Sequence, residues 1–245
     1  MKGWRPYLFL LLPLVLSLAF YCLYFSKNQK QGDSPSIQWI AQTGPLKEAL
    51  KTEYFEELLD FSLDGPNHLH LKKAEEILRS SPLIEELSLS LLSPEVLCID
   101  YLLRTPLFFL GDKENLAIDR SGNCFPFAPF FSPKRLPTLY LGEKPHPQAL
   151  QIALYFLERL RDLHLIDLSK ATCETLGTQE IVIGIGKQLL RFTPSHYEEE
   201  ISNYLKMKKL SQITPLVIDL RIRKMAFISP LESSFEVTPR FTTLK

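Results

Sequence analysis

The longest apolar stretch of the chain runs from Tyr7 to Phe25, nineteen residues without a charge. A helix of that length measures roughly 28 Å, about the thickness of the hydrocarbon core of a bilayer. The stretch is longer than the apolar region of a cleaved signal peptide, and bulky Phe20 and Tyr21 stand where cleavage needs small residues. The pattern therefore predicts an uncleaved transmembrane helix at 7–25, with a tail at 1–6 and a linker at 26–36.

A first block of alternating and helical patterns follows at residues 37–105. A weak alternation predicts a strand at 37–43, and Gly44-Pro45 predicts that a helix begins at Pro45. Leucines and an alanine then recur at helical spacing along one face. A second helix is expected at 71–80, and the runs at 84–92 and 96–103, separated by Ser93-Pro94-Glu95, predict a β-hairpin. The block thus reads strand, helix, helix, strand, strand.

The second block, residues 106–229, is rich in predicted strands. Asp119 to Gly122 favours a type I turn, and Gly186-Lys187 favours a tight hairpin turn. The clearest helix is predicted at 147–163, with an apolar stripe at Leu150, Ala153, Leu154, Leu157 and Leu160. Ser195 and Glu198 form a capping box for a helix running to about Leu210. Strands are expected at 166–173, 180–185, 188–192, 216–222 and 225–228, and residues 230–245 read as a polar tail.

Together these patterns predict an α+β fold. It consists of the N-terminal transmembrane helix, the β-α-α-β-β block, and a β-rich domain in which two helices pack on an antiparallel sheet. The chain length after residue 25 fits one or two domains.

Charge and cysteine content narrow the function further. The 28 basic and 28 acidic residues give a net charge of zero, which argues against nucleic acid as the main partner. Outside the apolar stretch, Cys98, Cys124 and Cys173 lack the spacing of a metal site and are expected as buried thiols. A single disulfide stays open if the domain lies outside the cytoplasm.

Motifs that carry catalysis are not found in the sequence. Gly184 to Lys187 lacks the earlier glycine and the following Ser or Thr of a phosphate-binding loop. His68 and His70 could share a strand face, but no cysteine or carboxylate cluster accompanies them. The acidic doublets read as solvated surface. We therefore expect no catalytic residues, no metal, no cofactor and no small-molecule substrate.

Several local strings, taken in order, resemble one protein family. They are IQWIAQTG at 37–44, the run from Pro82 through the two strands that follow, Arg104-Thr105-Pro106, LAIDRSGNCF at 116–125, Leu136-Pro137 and IDLR at 218–221. Preceded by an apolar stretch, this order resembles the bacterial cell-division protein family FtsQ/DivIB. The resemblance implies that 37–105 is a POTRA-like domain and that 106–229 is the family's β domain.

The resemblance also implies a role and a place. Members of that family are non-catalytic scaffolds of the division machinery that recruit bitopic division proteins at the septum. The implied partners are proteins of the FtsB/FtsL (DivIC) type, besides the lipid bilayer through one helix. The implied location is the inner cell membrane, single-pass, with the N-terminus cytoplasmic and the large region periplasmic. Charges flanking Tyr7 and Phe25 leave that orientation undecided.

In that family the partner binds by adding a strand to the end of the β domain. Here the last predicted strand is short, apolar and terminal, and comprises Met225, Ala226, Phe227 and Ile228. Three cations, Arg221, Arg223 and Lys224, precede it and could pair with partner carboxylates. The alternative for this strand is that residues 230–245 cover it.

Two other functions compete with a division scaffold. One is a POTRA-containing protein of envelope export or assembly, although no second copy of the first block is visible in the sequence. The other is a membrane-tethered enzyme with an unrecognised site.

Overall fold

The structure is a computed structural model that describes residues 36–45, 48–61, 67–172, 179–207 and 216–231. Its chain divides into two compact units, Met1–Leu102 and Leu103–Lys245. The predicted helix from Tyr7 to Phe25 lies outside the described residues, as do the predicted tail beyond residue 231 and Cys173.

The first unit places two helices and a three-stranded sheet around one core. Its elements are β1 (Ser36–Ile37), β2 (Trp39–Thr43), α1 (Thr52–Leu59), β3 (Asn67–His68), α2 (Leu71–Arg79), β4 (Ile84–Ser93) and β5 (Val96–Leu103). The sheet order is β2-β5-β4, with β2 parallel to β5, and β1 pairs separately with β3. The strands β1 and β3 are additions to the strand, helix, helix, strand, strand order that the sequence predicts.

Tyr101 contacts several segments in the core of this unit. Its ring packs edge-on against Phe55 of α1, with 5.3 Å between the ring centroids. Its hydroxyl accepts the backbone N–H of Leu50 at 2.7 Å and donates to Gln42 at 3.1 Å. Burial raises the pKa of Tyr101, although the Leu50 hydrogen bond opposes that rise. The side chain therefore links β5 to the segment before α1.

The second unit is built on a nine-stranded sheet. Its strands are β6 (Phe108–Leu110), β7 (Leu116–Ile118), β8 (Cys124–Pro126), β9 (Thr138–Tyr140), β10 (Leu163–Asp167), β11 (Ile181–Ile185), β12 (Gln188–Phe192), β13 (Leu216–Asp219) and β14 (Phe227–Pro230). Their order across the sheet is β14-β13-β12-β11-β10-β9-β6-β7-β8. Two helices, α3 (Ala149–Arg159) and α4 (Tyr197–Met207), contribute side chains to the core of this unit.

The core lies on the helix side of the sheet. The register aligns Ile166, Ile183, Leu190 and Ile218 in one row across β10 to β13, and all four are buried. Phe156 of α3 packs against Phe192 with 5.1 Å between ring centroids. Alternation along each strand puts every second residue into this core.

The fold class predicted from the sequence is wrong. In the part of the chain that the structure describes, no helix is long and apolar enough to cross a membrane. The sheet is mixed, because β6–β9, β9–β10 and β12–β13 are parallel pairs. Strands joined through α3 and through α4 run in the same direction, as crossover connections require. The described chain is a mixed α/β structure with one large sheet and four helices.

Several predicted boundaries also differ from the structure. The first helix begins at Thr52, seven residues after Pro45. The strand expected at 166–173 is Leu163–Asp167, and the strand expected at 216–222 ends at Asp219. On α3 the buried positions are Ala149, Ile152, Ala153 and Phe156, whereas Leu150, Leu154 and Leu157 are half-buried. The helix is apolar nearly all round, so its sequence does not single out the buried stripe.

Two predicted turns are confirmed. Gly186 has φ +55° and, with Lys187, joins β11 to β12, whose register begins at Ile185 opposite Gln188. At the other turn Gly122 donates its N–H to the carbonyl of Asp119 at 3.2 Å. The Asp119 carboxylate accepts hydrogen bonds from Ser121, Asn123 and Arg104. At the start of α4, Glu200 rather than Glu198 accepts a backbone N–H, that of Thr193 at 2.7 Å.

Candidate partner-binding edge

Strand β14 forms one edge of the nine-stranded sheet. It pairs with β13 in an antiparallel register that sets Phe227 opposite Asp219, Ile228 opposite Ile218 and Pro230 opposite Leu216. The strand expected at 225–228 is thus observed at Phe227–Pro230. Met225 and Ala226 belong to the connection from β13, where Met225 donates its N–H to the carbonyl of Ile222 at 3.0 Å.

The hydrogen bonds of β13 fix which way the backbone of β14 points. Leu220 donates its N–H to the carbonyl of Arg191 at 2.9 Å, so the even-numbered residues of β13 bond to β12. Backbone groups alternate in direction along a strand, and the odd-numbered residues of β13 therefore face β14. Their partners are Phe227 and Ser229.

It follows that Ile228 and Pro230 direct their backbone groups away from the sheet. Proline has no N–H, and in sheets it is found on edge strands where that position faces solvent. Within the four residues of β14, Ile228 therefore supplies the single outward N–H donor. Carbonyls of Ile228 and Pro230 supply the outward acceptors.

The four side chains of β14 are exposed, and those of Phe227, Ile228 and Pro230 are apolar. Ile228 continues the row formed by Ile166, Ile183, Leu190 and Ile218, yet it is 58% exposed while the other four are buried. Phe227, on the opposite face, is 55% exposed. The described part of the sheet thus extends one strand beyond the helices that cover its core.

The opposite edge of the sheet is better covered. In β8, Phe125 is buried and its ring lies 5.6 Å from that of Phe131. Phe127, just after β8, stacks on Phe131 as well. All four residues of β14, in contrast, are exposed. We therefore place the candidate binding site at β14.

An ion-pair network lies on the face of the sheet opposite the helices. Glu180 accepts hydrogen bonds from Lys170 at 3.1 Å and from Arg191, and Arg221 lies 3.5 Å away. Asp219 accepts hydrogen bonds from Nε and Nη2 of Arg221 and lies 3.4 Å from Arg191. Glu180 is the most buried member of the network, with its side chain 8% exposed.

Both carboxylates of the network are ionised near neutral pH. Burial alone would raise the pKa of Glu180, but hydrogen bonds from Arg191 and Lys170 outweigh it and lower that pKa. Burial also acts to raise the pKa of Asp219, and the bonds from Arg221 lower it overall. The Asp219 hydrogen bond is in turn the main cause of a raised pKa for Arg221.

Beside this network the same face carries a groove of about 580 Å³ that reaches the edge strand. Its apolar lining comes from Leu165, Val182, Leu189 and Val217, and its end at the edge from Ser229 to Leu231. Lys170, Glu180 and Arg191 line its polar end. An extended segment lying along β14 would border this groove.

The predicted cations divide into two kinds. Arg221 is held by Asp219 within the network, so its charge is already neutralised. Arg223 is 80% exposed and lies 3.8 Å from Glu199, and Lys224 is exposed at φ +60° in the turn before β14. Of the three predicted cations, Arg223 and Lys224 are thus the ones that are exposed beside this edge.

The sequence gives no signal for the rest of the site. Lys170 follows β10, Glu180 directly precedes β11 and Arg191 lies on β12, and only the pairing of these three strands brings them together. Cys98 and Cys124 are free thiols, but Cys98 is half-buried and Cys124 is exposed, so neither is the buried thiol that the sequence predicts. Within the described ranges, no group of three or more metal-binding side chains occurs.

Comparison with known proteins adds no further identification. No model of a known protein family matches the chain, and no curated protein matches it significantly.

Proposed function

We propose that this protein is a non-catalytic division scaffold of the FtsQ/DivIB type that binds a partner strand at the edge of β14. The observation that carries the proposal is the exposed apolar edge formed by Phe227 and Ile228, where the backbone groups of Ile228 point away from the described strands of the sheet. An exposed edge of this kind is a template for an added strand. The resemblance in the sequence supplies the biological setting.

The proposed partners are bitopic division proteins of the FtsB/FtsL (DivIC) type. A partner strand would gain two hydrogen bonds at Ile228 and one at the Pro230 carbonyl. Its apolar side chain on the helix face would cover Ile228, and acidic residues near one end would lie close to Arg223 and Lys224. The proposed place of action is the cell membrane at the division septum, with the described residues outside the cytoplasm.

Proline substitution at the edge tests the proposal. Ile228→Pro removes the outward N–H without breaking a bond to β13, so the fold is retained while partner binding is lost. Phe227→Pro is a poorer test, because the N–H of Phe227 bonds to Asp219 inside the sheet. The measurement is co-purification of a DivIC-type partner with the full chain, together with a thermal unfolding curve.

Ile228→Ala is the matched control, because it trims the side chain and keeps the N–H. We expect it to weaken partner binding only in part. Undiminished capture of the partner by a folded Ile228→Pro variant would show that strand addition at β14 is not the mode of binding. A fluorescent fusion that stays evenly distributed in dividing cells would contradict the septal role.

A further inference from the structure

We infer that the β14 edge also pairs with β14 of a second copy of this chain, in an antiparallel arrangement whose two-fold axis passes Ile228. The inference concerns the same edge as the proposed function and makes self-association and partner binding mutually exclusive. Closed two-fold pairing is the commonest way in which identical chains associate, and it requires a surface that is complementary to itself.

Backbone groups of β14 satisfy that requirement. At a two-fold axis beside Ile228, the N–H and C=O of Ile228 face the C=O and N–H of the same residue in the other copy. The next outward position of β14 is Pro230, which offers a carbonyl but no N–H. The two copies would therefore exchange two hydrogen bonds at Ile228.

Side chains in the same register are complementary as well. Opposed residues of paired strands point to the same face, so the two Ile228 side chains would meet on the helix side. Each Ile228 ends a row that begins at Ile166 and is buried up to Ile218. Pairing would join the two rows and cover the exposed member of each.

Charge selects the antiparallel direction. Lys224 lies four residues before Ile228 in a turn that also contains Arg223. In an antiparallel pair the two cationic turns stand at opposite ends, about 26 Å apart along the strands. That separation exceeds the Debye length of about 8 Å at physiological ionic strength. A parallel pair would instead set the two Lys224 side chains next to each other.

Cysteine crosslinking of the full chain tests the register. In a Cys124→Ser background, Ile228→Cys places two thiols at opposed positions, where Cα atoms about 5.5 Å apart allow a disulfide. Ser229→Cys is the matched control, because its copies lie diagonal to each other, beyond about 7 Å. We expect a disulfide-linked dimer from Ile228→Cys and little from Ser229→Cys. Equal yields from the two variants would overturn the inference.

Sedimentation of the full chain gives the second measurement. The unmodified chain should form a dimer as its concentration rises, and folded Ile228→Pro should stay monomeric. A chain that is monomeric at every concentration overturns the inference.

A DivIC-type partner should suppress the Ile228→Cys crosslink. A crosslink that forms in the expected pattern but is unaffected by that partner supports the self-pairing and counts against the proposed function instead.

Discussion

Arg191 donates a hydrogen bond from Nε to the carboxylate of Glu180 at 2.9 Å, which joins the end of β12 to the residue before β11. Lys170 and Arg221 approach the same carboxylate from two other segments. One buried acid therefore lies within 4 Å of three cations that the sequence distributes over about 50 residues. The stability of the sheet face opposite the helices depends on this arrangement, because the cations on that face would otherwise repel one another.

Glu180→Gln should lower the free energy of unfolding by about 2 kcal/mol, because removing one member of a buried ion pair leaves its partners uncompensated. The partial exposure of Lys170 and Arg191 keeps the loss below that of a fully buried pair. Urea denaturation at pH 7 measures it. Glu158→Gln is the matched control, since its pair with Arg120 is exposed on both sides and should change stability by less than about 0.5 kcal/mol. Equal effects of the two changes would contradict this role for Glu180.

Acid should destabilise the protein through Glu180 and Asp219. Burial acts to raise both pKa values, but hydrogen bonds from the neighbouring cations lower them below their ordinary values. The stability that these groups contribute is therefore present above the ordinary carboxylate pKa. It is lost as the pH falls from about 5 toward the lowered folded-state pKa values. Unfolding free energies in this range should fall less steeply for Glu180→Gln/Asp219→Asn than for the unmodified chain, and parallel curves would refute the assignment.

Glu200 should show the opposite dependence. Burial raises its pKa, and the hydrogen bonds from Thr193 only partly oppose that rise. The folded state thus binds this proton more readily than the unfolded state. The stability it contributes is complete below the ordinary carboxylate pKa and is lost as the pH rises through the raised folded-state value.

Glu200→Gln keeps an acceptor for the N–H of Thr193 and should therefore stabilise the protein more at pH 7 than at pH 4. Thermal unfolding at the two pH values measures the difference. Glu198→Gln removes the same charge from an exposed position in the first turn of α4 and should show no such gain. A gain at pH 4 as large as at pH 7 would argue that ionisation of Glu200 is not the cause.

Tyr101→Phe should cost about 1–3 kcal/mol, although the ring keeps its contact with Phe55. The cost arises because the buried N–H of Leu50 loses its acceptor. Tyr54→Phe removes a half-buried hydroxyl that pairs with Ser81 at 2.7 Å, and a smaller loss is expected there. Chemical denaturation of both variants compares them, and a neutral Tyr101→Phe would show that the Leu50 bond contributes little.

Local structure was the part of this protein that the sequence by itself determined. The turn from Asp119 to Gly122 and the hairpin at Gly186 follow from residues next to each other. A positive φ at glycine and a hydrogen bond from the backbone to an Asp side chain each involve only neighbouring residues. The strand predicted at 188–192 likewise has the bounds of β12 as observed. Helix α3 was predicted, but of its predicted stripe only Ala153 and Leu160 are buried.

Only the tertiary structure decided how these elements pair. Alternation predicts that a segment is a strand, but it does not predict which strands pair with it or in which direction they run. The parallel pairs β9–β10 and β12–β13 were therefore missed. The network around Glu180 and the outward N–H of Ile228 depend on register between strands distant in sequence. Since backbone direction alternates with every residue, the outward direction of the Ile228 backbone groups was set by the pairing of Asp219 with Phe227, which no local pattern encodes.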